Sequence, residues 1–216
     1  MSDSSSVSGP PGARLSIALA VIGVSFDAKL CRTVTPCQPG PPAPKVALQE
    51  REGRALEEHR TGTLTLDEWR ALVGQRAGTS AWHEVSQQTI DAFGTLTGDD
   101  QWIHTDPVRA AEGPFGGPIA HGFLTLSLLA PMSLEALPGL TGAGMGVNYG
   151  FDRLRFLSPV PAGARIRAHF DVTSVEETRP GEVTFALAVT VEIEGQDRPA
   201  LAADWINRRY MDKRTQ

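Results

Sequence analysis

The C-terminal half of the chain alternates apolar and polar residues with a period of two. In "VTFALAVTVEI", Val183, Phe185, Leu187, Val189, Val191 and Ile193 fall on one face, with Thr184, Thr190 and Glu192 on the other. This is the pattern of a strand with one buried side. "RIRAHFDV" does the same, setting Arg165, Arg167, His169 and Asp171 opposite Ile166, Ala168, Phe170 and Val172. With "VNYGFDRLRF" before and "LAADWINRRY" after, four successive strands are predicted, joined by turns such as "PAG" and "RPGE". Upstream, "GPFGGPIAHGFLTLSLLAPMSLEAL" passes at Ala120 from Gly and Pro punctuation into a run apolar on nearly every side, which predicts a long buried helix. A strongly curved antiparallel sheet wrapped around that helix buries both, so the expected class is α+β.

Shorter elements precede this core. In "LTLDEWRALVGQ", Thr65 and Glu68 form a capping box for a helix with Trp69, Leu72 and Val73 on its apolar side and Gly74 at its end. "AWHEVS" reads as a short strand. "SQQTIDAFGTLTG" reads as a helix capped by Ser86 and closed by Gly98, and "TDPVRAAEG" as a short helix with Asp106 as cap, Pro107 in first position and Gly113 as stop.

Composition separates the first 62 residues from the rest. "MSDSSSVSGPPG" and "TPCQPGPPAPK" are low-complexity and Pro-rich, and "ALQEREGRALEEHR" is charged with little apolar face, so residues 1–62 read as a disordered tail and 63–212 as one domain. The apolar run "LSIALAVIGVSF" is too short to span a membrane, which needs roughly 18 to 20 residues, and lacks a small-x-small cleavage pattern. The net charge of −5 and the absence of a basic run speak against nucleic acid as partner. Cys31 and Cys37 have no matching Cys or His spacing, so neither a metal site nor a disulfide framework is indicated, and a reducing cytoplasmic setting fits.

Candidate chemistry concentrates in "TGDDQWIHTDP". Asp99 and Asp100 after a helix-ending glycine have the residue types of a turn, but His104 follows Asp99 by five positions. On a helix of about 100° per residue that spacing sets the two side chains well over about 90° apart, so they meet only if the chain bends. A carboxylate and an imidazole converging ahead of a helix N-terminus have the parts for general acid–base work on a water, with backbone N–H groups placed to face a developing oxyanion.

The run from Gly98 and Asp99 through His104, followed by "GPFGGPIAHGFLTLSLL", resembles the MaoC-like dehydratases and R-specific enoyl-CoA hydratases, in particular their single-hotdog bacterial type. The resemblance covers roughly residues 65–210. It implies the hotdog fold, a sheet around a central helix, and reversible hydration of 2-enoyl thioesters to R-3-hydroxyacyl thioesters. It carries the catalytic pair onto Asp99 and His104 and an oxyanion donor onto the backbone N–H of Gly122. It implies no metal or redox cofactor, with coenzyme A or acyl carrier protein present only as part of the substrate, and a homodimer. The family pattern reads G-D-x-N-P-aliphatic-H, where this chain has "GDDQWIH", with Gln101 for Asn and Trp102 for Pro.

Other candidates carry two readings each. His121 is either a structural hydrogen-bonding residue or part of the site. Trp102 either anchors the loop or covers an acyl pocket, with Gln101 beside it. Arg153 and Arg155 bind coenzyme A phosphates or line a solvated strand face, and Asn148 and Tyr149 are equally open. "GPFGGP", with Phe115, is plain loop or tunnel wall. The competing functions are a hotdog acyl-CoA thioesterase and a non-catalytic acyl-thioester-binding subunit.

Overall fold

The four alternating segments form the main sheet because each has one apolar face to bury. In the computed structural model, which describes residues 62–212, they are β5 (Ala143–Phe156), β6 (Arg165–Arg179), β7 (Glu182–Ile193) and β8 (Leu201–Met211). With β2 (Arg76–Thr79) they make a sheet in the order β2-β6-β7-β8-β5, and β3 (His83–Glu84) also pairs β6. The named pairs within this sheet are antiparallel. The expected faces hold: Ile166, Ala168, Phe170 and Val172 are buried, as are all six apolar residues from Val183 to Ile193. A register shift between Val172 and Ser174 inserts a residue in β6, after which Val175 faces inward. The expected tail, with both cysteines, lies outside the described residues apart from Gly62.

The N-terminal elements follow local rules. Helix α1 (Leu66–Ala71) carries the Thr65/Glu68 capping box, and β1 (Thr63–Leu64) pairs in parallel with β4 (Gly139–Leu140). Trp69 is buried edge-on against Phe185 with ring centroids 5.0 Å apart, and its Nε1–H donates to the Gly139 carbonyl. Val73, expected beside it, is instead 46% exposed in the turn after the helix. Helix α2 (Gln87–Thr97) starts on Ser86 and stops at Gly98, which has the left-handed φ of 75°. Helix α4 (Pro107–Ala111) starts on Asp106, whose side chain accepts from the Arg109 N–H.

The single long helix is corrected to two pieces, α5 (Gly122–Ser127) and α6 (Leu129–Ala136), meeting at Leu128. Pro131 has no N–H to offer the Ser127 carbonyl four residues before it, so the ladder is interrupted where the break falls. Nor is the run buried all round. Leu124, Leu129, Met132 and Ala136 enter the core, whereas Phe123 and Leu134 are 65% and 41% exposed. One sheet covers one side of the helical run and leaves the other side open. No helix among the described residues is long and apolar enough to cross a membrane.

Candidate active site

Gly98 ends α2 by giving its N–H to the Gly94 carbonyl at 2.8 Å. The left-handed turn sends Asp99 out of the helical path. A turn of helix not foreseen from the sequence, α3 (Trp102–Thr105), follows and is fastened at both ends: the His104 N–H bonds the Gln101 carbonyl at 2.9 Å, and Thr105 Oγ1 bonds the Asp100 carbonyl at 3.0 Å. Gln87, at the start of α2, donates its side-chain amide to the His104 carbonyl at 2.7 Å. These bends bring Asp99 and His104 together. A side-chain atom of Asp99, a ring nitrogen of His104 and one of His121 all lie within 4.8 Å of one another.

The ring of His104 is buried and its Nδ1 is 2.7 Å from the Ile119 carbonyl. A carbonyl oxygen only accepts, so Nδ1 carries the proton. In the neutral ring Nε2 is then an acceptor. His121, 2% exposed, sets Nε2 2.9 Å from the Asp99 carbonyl, so there Nε2 carries the proton. The two imidazoles stack with centroids 3.8 Å apart at 27°.

Gly122 opens α5 next to His121, and as the first helical residue its N–H has no intrahelical acceptor. A side chain at Gly122 would lie 3.1 Å from the ring of Phe156. Phe156 thus already stands in the space that the glycine keeps open. A cleft of about 320 Å³ opens here, lined by His104, Gly122, Thr125, Phe156 and, from the Gly-Pro segment, Phe115. Thr125 and Phe156 went unnoticed in the sequence. Thr125 reads there as one more residue of an apolar run, and Phe156 as the end of a strand.

The remaining candidates sit elsewhere. Trp102 is half-buried against Gly113, with the Arg109 guanidinium 4.6 Å over its ring, which suits the loop anchor. Gln101 is exposed as the first residue before α3. On β5, Arg153 pairs with Asp204, Arg155 donates to the Leu154 carbonyl, and Asn148 faces Asn207 across the ladder. Asp99, His121, Gln101, Trp102, Asn148, Arg153 and Arg155 are not part of this cleft's wall, so of Asp99 and His104 only the histidine lines it. Asp100 is exposed.

Comparison with known proteins bears on the same segment. The family model of the MaoC like domain matches residues 69–193. Nodulation protein N of Rhizobium meliloti (strain 1021) is 48% identical over 144 residues, which are 66% of this chain and 89% of that protein. The 3-hydroxyacyl-thioester dehydratase Z of Mycobacterium tuberculosis (strain ATCC 25618 / H37Rv) is 44% identical over 64% of this chain and 91% of its own length. Among solved structures, the (R)-hydratase from A. caviae superposes with a TM-score of 0.52 at 28% identity, covering 62% of this chain and 94% of that one. With the helical run packed on the sheet, the Gly98-Asp99 turn and a family match over more than half its length, this chain belongs to the MaoC-like dehydratase family.

Proposed function

We propose that the protein hydrates 2-enoyl thioesters reversibly to R-3-hydroxyacyl thioesters, with Asp99 and His104 as the catalytic pair. The observation that carries this reading is the tautomer of His104. With Nδ1–H spent on the Ile119 carbonyl, Nε2 accepts, and a water between it and the Asp99 carboxylate donates one hydrogen to each. Its oxygen lone pair is then turned toward a ligand in the cleft. As the oxygen bonds the β-carbon, Asp99 takes the proton, the π electrons move onto the thioester oxygen, and the Gly122 N–H stabilises the charge there. The α-carbon is protonated last, by the acid form of Asp99. Running backward, the same steps expel water from a 3-hydroxyacyl thioester, the activity named in the mycobacterial relative.

The substrate arrives as a coenzyme A or acyl carrier protein thioester, and the cleft beside Phe115 and Phe156 takes its acyl end. We read residues 63–212 as the catalytic domain of a cytoplasmic enzyme. We further read the chain as a homodimer. Strand β5 pairs only β8 among the described residues and exposes Met145, Val147 and Tyr149 at the sheet edge, which a second copy would cover.

The test is incubation with crotonyl-CoA, following loss of enoyl absorbance with free thiol measured in parallel and the product resolved by chirality. Absorbance loss without thiol release and an R product are expected. Thiol release would indicate a thioesterase, no reaction a binding subunit, and an S product would overturn the stereochemical assignment.

A further inference from the structure

Gly94 lies inside α2, where glycine is disfavoured relative to alanine, and His121 is a buried imidazole whose Nδ1 has no partner. Neither is the residue that packing alone would select at its position. Both meet at one atom. A Cβ at Gly94 would stand 2.9 Å from the Asp99 carbonyl oxygen and 3.5 Å from Cε1 and Nε2 of His121. His121 Nε2–H donates to that same oxygen at 2.9 Å, while its ring lies on His104 at 3.8 Å and against Phe93 at 5.1 Å.

From this convergence we infer that His121 is a positioning residue, holding the Asp99 backbone and the His104 ring in the geometry that receives the water, and that Gly94 is the space which admits it. The inference rests on the reading of Asp99 and His104 as the water-binding pair. Asp99 stands just past a left-handed turn and is itself exposed, so its carboxylate has little around it to fix its direction. A bond to its own carbonyl from a buried side chain on another element supplies that constraint. The same side chain, by stacking, sets the plane in which His104 Nε2 points. One residue therefore fixes both halves of the pair, from the helix start that also carries Gly122.

Hydration of crotonyl-CoA by His121→Phe, His121→Gln and Gly94→Ala, with His121→Phe repeated in an Asp99→Asn background, decides it. Phenylalanine keeps the stack and loses the donor, so kcat should fall about 10- to 100-fold with KM within about twofold. Glutamine sets an amide N–H where the imidazole Nε2–H was but gives up the stack on His104, so it should recover part of the phenylalanine variant's loss without reaching the wild-type rate. In the Asp99→Asn background the phenylalanine change should add less than about threefold, because groups acting as a unit do not multiply. Gly94→Ala should lower kcat with KM unchanged even though alanine favours the helix, with circular dichroism showing helix content retained. A His121→Phe enzyme at the wild-type rate, glutamine no better than phenylalanine, or a full multiplicative loss in the Asp99→Asn background overturns the inference. If the phenylalanine variant does not fold, Gly94→Ala decides alone: unchanged kcat overturns it, a selective loss of kcat sustains it. An Asp99→Asn enzyme with undiminished activity would instead overturn the reading of the pair.

Discussion

The Nδ1–H of His104 reaches the carbonyl of Ile119, fifteen residues on, in a buried hydrogen bond of 2.7 Å. That bond selects the tautomer, and the tautomer decides what the ring can do. With Nδ1 committed, Nε2 is left as the acceptor of the neutral ring. The backbone of the segment leading into α5 thereby sets the tautomer of a side chain on α3.

Asp99→Asn removes the proton acceptor and His104→Gln the imidazole, and each should lower kcat by about 10²- to 10⁴-fold. The double variant should lose much less than the product of the two, because in the proposed mechanism both groups serve one water. Asp100→Asn, one residue away and exposed, should stay near the wild-type rate. Steady-state kinetics on the four variants checks this, and an essential Asp100 beside a dispensable Asp99 would shift the motif by one residue.

Gly122→Ala retains the N–H but pushes a methyl group to 3.1 Å from the Phe156 ring. Turnover should drop about 10-fold or more, because the donor or the ring must shift by some tenths of an ångström. Pairing the change with Phe156→Ala should recover most of the loss. If Gly122→Ala is harmless alone, the space before Gly122 is not where the thioester oxygen sits.

Phe170 is fully buried in the middle of β6 and packs against Trp205 with ring centroids 6.4 Å apart. Phe170→Ala should cost about 3–5 kcal/mol of stability, from lost burial plus the cavity left behind. Urea denaturation followed by tryptophan fluorescence measures it.

Glu192 accepts from Arg167 at 2.7 Å and from His169 at 2.9 Å, and these two bonds, the arginine's foremost, hold its carboxyl below the usual carboxylate range. A carboxyl held low adds stability above its unfolded value of about 4.3, and that stability is lost as pH falls through the lowered folded value. Glu192→Gln should therefore lower Tm by about 1–3 °C at pH 7, as a partly exposed ion pair does. The difference from wild type should shrink as pH falls from about 4.3 through the lowered folded value, below which both side chains are neutral. Thermal melts from pH 7 to pH 3 show whether the two curves converge.

Elements whose causes are local were legible in the chain before any tertiary contact was known. Thr65 with Glu68, Ser86, Gly98, Asp106 and Pro107 act within one helical turn, so the ends of α1, α2 and α4 could be read from a few residues. The alternation from Arg165 to Ile193 likewise specified which side of β6 and β7 would be buried. Within the site, Asp99, His104 and Gly122 stood out through their spacing and motif. What the tertiary structure decided depends on partners far away in the chain. The Ile119 carbonyl that sets the His104 tautomer, the Asp99 carbonyl that engages His121, and the Phe156 ring before Gly122 are brought in by packing of separate elements. Arg153 read in sequence as either a phosphate ligand or part of a solvated strand face, and the ladder sets it opposite Asp204, fifty-one residues on. Periodicity and capping report how a residue meets its immediate neighbours and the boundary between core and water. Which particular atom faces which across the fold is set only when the sheet closes on the helix.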